Sequence, residues 1–299
     1  SSDVCSSDLF VYFTNIFCQL VLVGAFIQWR RTHDAGAFKA ALAVIAAAAA
    51  GFALNSVDGW TYRLLHEPNS GAFVREYKWL EIYGLKLVDL VIPSVTHRIA
   101  PLASFAAAHR QGAPLLDEGA SYLGIVGIAS LAWVIWDASR AVVRARLDEV
   151  PIEAWWVLWI VLVFTTGGLN AIAGAFGVTM FRAGCRYAVV ILAISLLYAA
   201  RRLTSVQAAA AARATDGTQG ILWGTIAAVL GLVIFVDQVP RSPAAEYVNT
   251  TAAFVDSDRR FVADMEAALP ANAMVFQLPV MEYPESPVPG LGSYEHFRP

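Results

Sequence analysis

Apolar stretches of bilayer length recur six times along the chain, at approximately 9–28, 38–57, 121–136, 154–176, 185–200 and 220–236, with polar segments between them. A helix needs about 20 predominantly apolar residues to cross a hydrocarbon core, with a range near 17 to 25. Each stretch is therefore predicted to be a transmembrane helix. The third and fifth are short and need flanking residues or local bilayer thinning. The second, AALAVIAAAAAGFALNSV, is rich in alanine and only mildly hydrophobic. Small side chains let helices approach closely, so this span is expected to face other helices rather than lipid.

A different period occupies the long segment between the second and third spans. In EIYGLKLVDLVIP, Glu81 to Pro93, residues Ile82, Leu85, Val88 and Ile92 fall near one helical stripe. Leu87, Leu90 and Val91 broaden it, while Lys86 and Asp89 fall on the other side. The pattern predicts a helix lying in the interface plane or packed over the membrane domain. Pro93 ends it, SVTHRIAPL is expected to be irregular, and LLHEPNSG reads as a turn.

After the sixth span, DSDRRFVADMEAALP offers Asp256 or Asp258 as an N-cap. It gathers Phe261, Val262, Met265 and Leu269 on one face and closes at Pro270. Met274 to Leu278 then reads as a short apolar strand. The predicted fold class is an all-α polytopic membrane domain of about six transmembrane helices, followed by the start of an extracytoplasmic α/β domain. The membrane domain covers 10–236 with a long outer loop at 58–120, and the tail covers 237–299. One helix and one strand bury no core alone, so further elements are expected beyond Pro299. The opening SSDVCSSDL carries a near-repeat similar to a translated sequencing adapter and lacks a signal-peptide pattern. Residues 1–9 are accordingly expected to stand outside the fold, in an internal fragment of a longer protein.

Composition supports the membrane assignment. Of 299 residues, 58% are hydrophobic and only 15% charged, against about 25% charged in soluble domains. A net charge of −3 leaves no basic footprint for nucleic acid. Nine Trp and ten Tyr suit a chain with many headgroup-level positions. Cys5, Cys18 and Cys185 show no paired or metal-type spacing, and the five histidines are scattered. No cofactor motif is evident, and a divalent cation would have to be held by carboxylates.

Charge also orients the spans. Arg30, Arg31 and Lys39 lie in loop 29–39; Arg140, Arg144 and Arg146 in 137–153; Arg201, Arg202 and Arg213 in 201–219. These alternate loops are expected to be cytoplasmic. Segment 58–120, the turn near 177–184 and the tail then share the outer face. The tail from Asp237 carries nine acidic residues against four arginines, which fits a translocated segment.

Chemistry is therefore sought on the outer face. An enzyme acting on a lipid-linked anion needs cations for phosphate and a carboxylate to take a proton from an attacking hydroxyl. His97 and Arg98 follow Pro93 and are candidates for a phosphate clamp. Arg182 and Arg186, one helical turn apart, either bind a lipid phosphate or anchor the fifth span at the headgroups. Asp58 sits at the outer end of the second span. TTGGLNAIAGAFG lacks the Lys-Ser/Thr of a phosphate loop, so its glycines point to close packing or a helix break. Glu282, Glu285 and His296 follow the predicted strand and are candidate ligand contacts, because loops at that end of an α/β sheet commonly hold ligands. The alternative for each is an ordinary solvated or snorkelling side chain.

Several stretches then point to a family. RLLHEPNSG, EIYGLKLVDLVIPSVTHRIAPL, FRAGCRYAVVILAISLLYAARRL and FVADMEAALPANAMVFQLPVMEYPE are similar to large bacterial polytopic membrane proteins that resemble membrane-embedded glycosyltransferases of the GT-C type. The resemblance implies a bacterial inner-membrane enzyme taking sugar from a polyprenyl-phosphate carrier at the periplasmic face, in cell-envelope glycan assembly. It also implies a catalytic acid in a first outer loop, expected upstream of Phe10, so no catalytic residue is carried over. The alternatives are a transporter or flippase of lipid-linked saccharides and a non-catalytic envelope protein. The near absence of ionisable residues at mid-span argues against transport.

Overall fold

The computed structural model describes residues 2–66, 76–113, 121–212, 218–270 and 272–275. The chain divides into two compact units, one formed by 1–68 and 75–240, the other by 69–74 and 241–299. Among the described residues the structure is helical, with no strand and a single isolated bridge between Leu85 and Thr165.

In the first unit, α1 (Ser2–Thr32) turns through a short connection into α2 (Gly36–Leu65), so the two pack as antiparallel neighbours. Helix α1 runs through the residues expected to lie outside the fold. After α3 (Lys78–Ile82) and α4 (Ala100–Gly112) come α5 (Gly124–Val143), α6 (Ile152–Phe164), α7 (Leu169–Ala175), α8 (Ala188–Ala211) and α9 (Thr218–Gln238). Helices α1, α6, α8 and α5 pack in that order, with α9 against α5 and α8. The core lies among them and includes Ile16, Leu85, Ile160, Phe164, Tyr187 and Ile191, all essentially inaccessible.

Among the described residues five segments are long and apolar enough to cross a membrane: Val11–Thr32, Gly36–Tyr62, Gly124–Val143, Gly184–Ala211 and Gly220–Gln238. The third and fifth predicted spans are thus longer than their apolar runs. Arg201 and Arg202 do not end α8, because arginine is a good helix former and an alanine-rich run follows. The fourth predicted span, 154–176, is not one helix. Helix α6 stops at Phe164 after 13 residues, about 20 Å of rise against a hydrocarbon core of about 30 Å. The chain turns extended at Thr165, and Gly167 takes φ of +73°, a conformation that glycine adopts without strain.

The predicted helix over Glu81–Pro93 is also interrupted. It resolves into α3, a bridge at Leu85 and a short 3₁₀ turn at Leu87–Leu90. Gly84 marks the break, because a Cβ there would lie 2.7 Å from Thr166 Oγ1. Of the predicted apolar stripe only Leu85 and Leu90 are buried, together with Leu80 just before it, while Leu87, Val88 and Val91 are exposed. The alanine-rich second span departs from expectation as well. In α2 only Ala41 is buried among the described residues, and α1 is its principal neighbour. Alanine permits close approach but supplies little area to hold a partner.

The irregular chain at one end of the bundle is held by hydrogen bonds among four segments. Leu85 N donates to Phe164 O at 2.8 Å, Cys185 N to Tyr83 O at 2.9 Å and Leu123 N to Leu90 O at 3.0 Å. Thr165 Oγ1 donates to Leu85 O at 2.9 Å. Such pairing is what irregular backbone requires at membrane depth, where no water can satisfy it. The opposite, basic end brings the three arginine-bearing loops together. Arg31 donates to the carbonyl of Val150, Arg201 pairs with Glu153 and Arg202 with Asp137.

In the second unit α10 (Ala245–Ala268) begins directly after Pro243, so Asp256 and Asp258 lie inside it rather than at its N-cap. No Gly or Pro interrupts 244–269, and nothing stops the helix starting earlier. Met274 and Val275 lie in irregular chain, and the rest of the predicted strand falls outside the described residues. The α/β domain is not seen among the described residues.

Candidate functional site

Two arrangements stand out in the bundle. The first is an apolar groove of about 500 Å³ between α1, α6 and α8, lined by residues that include Phe13, Phe17, Val21, Trp156, Val189 and Leu197. Trp156 crosses its floor, its indole N–H donating to Leu20 O at 2.9 Å. Beside it, Trp159 donates to Gln19 Oε1 at 2.8 Å. On α8, Val189, Ala193 and Leu197 recur at helical spacing along the groove. Arg186, exposed in the 3₁₀ turn Gly184–Tyr187, continues that stripe by one turn beyond Val189. Arg201 continues it beyond Leu197, so the apolar stripe has a guanidinium at each end.

The turn carrying Arg182 and Arg186 is fixed by aromatic residues of α1 and α8. Tyr12 OH donates to Met180 O at 2.7 Å and accepts from Ala183 N at 3.3 Å. Tyr187 OH donates to Tyr12 O at 3.2 Å, and its ring lies 4.0 Å from that of Phe164. Gly184 admits this approach, because a Cβ there would meet Phe164 O at 2.6 Å. Arg182 is half-buried in this layer.

The second arrangement surrounds Asp237, the last acid of α9. Its Oδ1 accepts from Tyr122 OH at 2.8 Å and from His97 Nε2 at 3.3 Å. Its Oδ2 accepts from Ile125 N and Gln238 Nε2, each at 2.9 Å. His97 Nδ1 accepts from Ile99 N at 3.0 Å, so the neutral ring carries its proton on Nε2 and donates it to Asp237. The His97 and Asp237 side chains are only 1% and 4% exposed. The carboxylate thus caps the N-terminus of α5, which has no cap of its own. The Tyr122 phenol is pushed well above its usual range, first by burial and then by its hydrogen bond to the carboxylate.

The predicted site residues separate accordingly. His97 has both ring nitrogens engaged in the buried Asp237 cluster. Arg98 is exposed and lies over the Phe235 ring of α9, 5.4 Å from its centroid. Arg182 and Arg186 belong to the turn above the α1–α6–α8 groove. Asp58 is exposed on α2. Glu282, Glu285 and His296 lie outside the described residues. Sequence reading passed over Asp237, although a lone acid closing the apolar run LGLVIFVDQ is the signal of a buried or capping role. Among the described residues no three His, Cys, Asp or Glu side chains gather closely enough to hold a metal. Comparison with protein-family models, curated proteins and solved structures gave no match.

Proposed function

We propose that this membrane protein binds a lipid-linked anionic saccharide, with the lipid chain in the α1–α6–α8 groove and its phosphate at Arg186 and Arg182. The observation that carries the reading is an apolar groove continuous along α8 with an exposed arginine one turn beyond it. A hydrocarbon tail gains from burial against Phe17, Val189 and Leu197, and a guanidinium grips a phosphate through paired N–H donors. The reaction we favour is glycosyl transfer from a polyprenyl-phosphate carrier at the periplasmic face. There a positively charged clamp would stabilise the departing phosphate while a carboxylate accepts the acceptor hydroxyl proton. The three basic loops at one end support placing that end in the cytoplasm of a bacterial inner membrane.

A second reading, movement of the lipid-linked saccharide across the bilayer, draws on the break between α6 and α7, since discontinuous helices commonly surround transported substrates. A photoreactive polyprenyl phosphate added to the purified chain tests the binding claim common to both. Crosslinks to α1 and α8 peptides, lost in R182Q/R186Q, are expected. Labelling unaffected by both substitutions, or spread evenly over the helices, would overturn it. Release of sugar to an acceptor, as against movement of intact carrier between leaflets of proteoliposomes, separates the two readings.

A further inference from the structure

At the basic end a polar cavity of about 500 Å³ opens between α5, α6 and α8, a volume in the usual range for small ligands. Asp137, Arg140, Arg144, Glu153, Tyr198 and Arg202 contribute to its wall, together with Glu149. Its three carboxylates are already matched. Asp137 accepts from Tyr198 OH at 2.5 Å and pairs with Arg202 at 3.1 Å. Glu153, 7% exposed, pairs with Arg201 at 2.9 Å, and Glu149 pairs with Arg146 at 2.9 Å.

Arg140 and Arg144 remain. Neither forms an ion pair or a side-chain hydrogen bond within the described residues. They stand four apart at the C-terminal end of α5, Arg144 directly after its last residue, and like charges at this spacing repel. Both are exposed, and they line a cavity whose other charged groups are held in place by ion pairs and partial burial.

We propose that this cavity binds the phosphate of an anionic ligand, with the Arg140 and Arg144 guanidinium groups as its principal contacts. Two planar donor forks match a tetrahedral oxyanion, and a phosphate removes the repulsion between them. The cavity lies where the apolar spans end, at headgroup depth, so the phosphate comes either from an anionic phospholipid or from a water-soluble ester. The site is at the opposite end from the Arg182–Arg186 turn of the proposed function and does not depend on it.

The test uses the purified full chain in a neutral detergent, with thermal stability followed against added phosphatidylglycerol, phosphatidylcholine or inorganic pyrophosphate. R140Q/R144Q is compared with R140K/R144K and with R259Q/R260Q, which removes the same charge from α10. Stabilisation by phosphatidylglycerol but not phosphatidylcholine is expected. Its midpoint should move to ligand concentrations on the order of ten-fold higher or more in R140Q/R144Q, with lysine restoring part and R259Q/R260Q unchanged. Stabilisation by pyrophosphate alone, lost in R140Q/R144Q, also supports the site and assigns a soluble source. A response equal in R140Q/R144Q and R259Q/R260Q, or no response to either phosphate compound, overturns the proposal. The unliganded melting temperature of R140Q/R144Q should equal or slightly exceed that of the parent, since these side chains hold no partner and their mutual repulsion is removed.

Discussion

Replacing Asp237 should cost more than any other single polar substitution at the non-basic end. The carboxylate accepts four hydrogen bonds, from Tyr122, His97, Ile125 N and Gln238. In Asp237→Asn one oxygen can still serve Tyr122 and His97, and Gln238 can turn its own amide. The new NH₂ group, however, meets the Ile125 N–H donor to donor. Leaving that amide unpaired costs about 1–3 kcal/mol, and losing the negative charge at the N-terminus of α5 adds about 0.3–1 kcal/mol. The expected loss is therefore about 1–4 kcal/mol. Asp237→Ala also orphans the buried His97 N–H and should reach about 3–5 kcal/mol, as when one partner of a buried hydrogen-bonded charge is removed.

Equilibrium unfolding in mixed neutral and ionic detergent, read by tryptophan fluorescence, gives both values. A double-mutant cycle with Tyr122→Phe sharpens the claim, because Tyr122→Phe should cost little once Asp237 is gone. Coupling of about 1 kcal/mol or more is expected for groups in one network. Asp237→Ala within about 0.5 kcal/mol of the parent, or strict additivity, would refute the assignment of this cluster as the fastening between α9 and α5.

Three further outcomes are expected. Gly184→Ala forces a Cβ to 2.6 Å from Phe164 O and 3.2 Å from Leu85 N, and should destabilise by about 1–3 kcal/mol. Gly231→Ala, with nothing within 4 Å, should be neutral or stabilising by up to about 1 kcal/mol; thermal melts of the two side by side check the pair. The raised Tyr122 phenol contributes stability that is fully present below the ordinary phenol value of about 10 and lost as pH rises above it. Unfolding between pH 8 and 12 should show that loss in the parent and a shallower one in Tyr122→Phe. Finally, with native cysteines removed, a membrane-impermeant maleimide should label Val95→Cys from outside the cell and Ala212→Cys only after the membrane is opened; the reverse pattern would invert the orientation.

The spans were legible because a bilayer demands long apolar runs, and five of them appear as such helices. What hydropathy could not show is where an apolar run ceases to be helical. The stretch 154–176 reads as one span despite the Thr and Gly residues of TTGGLNAIAGAFG, yet the helix ends at Phe164, where Leu85 N donates to Phe164 O and Leu85 O accepts from Thr166 N and Thr165 Oγ1. The same pairing breaks the predicted helix at Glu81–Pro93, whose stripe is equally compatible with a helix and with three short pieces. Arg182 and Arg186 were expected one helical turn apart, but Arg182 lies in irregular chain and Arg186 in the 3₁₀ turn, so helical spacing does not relate them. His97 was not readable as a buried partner of Asp237, since nothing local relates residues 140 apart in the chain. The matched carboxylates around Arg140 and Arg144 were hidden for the same reason: each of the three loops looks merely basic until the bundle brings them together.

The break after α6 ties the fold to the proposed site. A 13-residue helix rises about 10 Å less than the thickness of a hydrocarbon core, and the stretches around Leu85, Thr165 and Gly184 pack at its end. Lipid cannot satisfy their backbone groups, so those stretches must pair with one another, and Leu85, Phe164, Thr165, Cys185 and Tyr83 do so. The pairing leaves the turn that carries Arg182 and Arg186 little freedom, because Gly184 and Cys185 within it are bonded or packed against Phe164 and Tyr83. A cation held on such a turn loses less entropy on gripping a phosphate than one on a free loop. The irregular layer therefore gives the arginine pair a fixed height at the end of the groove. That predicts a further coupling: Gly184→Ala should weaken polyprenyl-phosphate binding beyond its effect on stability, by moving the turn rather than removing its charge. Binding unchanged in a folded Gly184→Ala variant would show that the turn and the groove are independent.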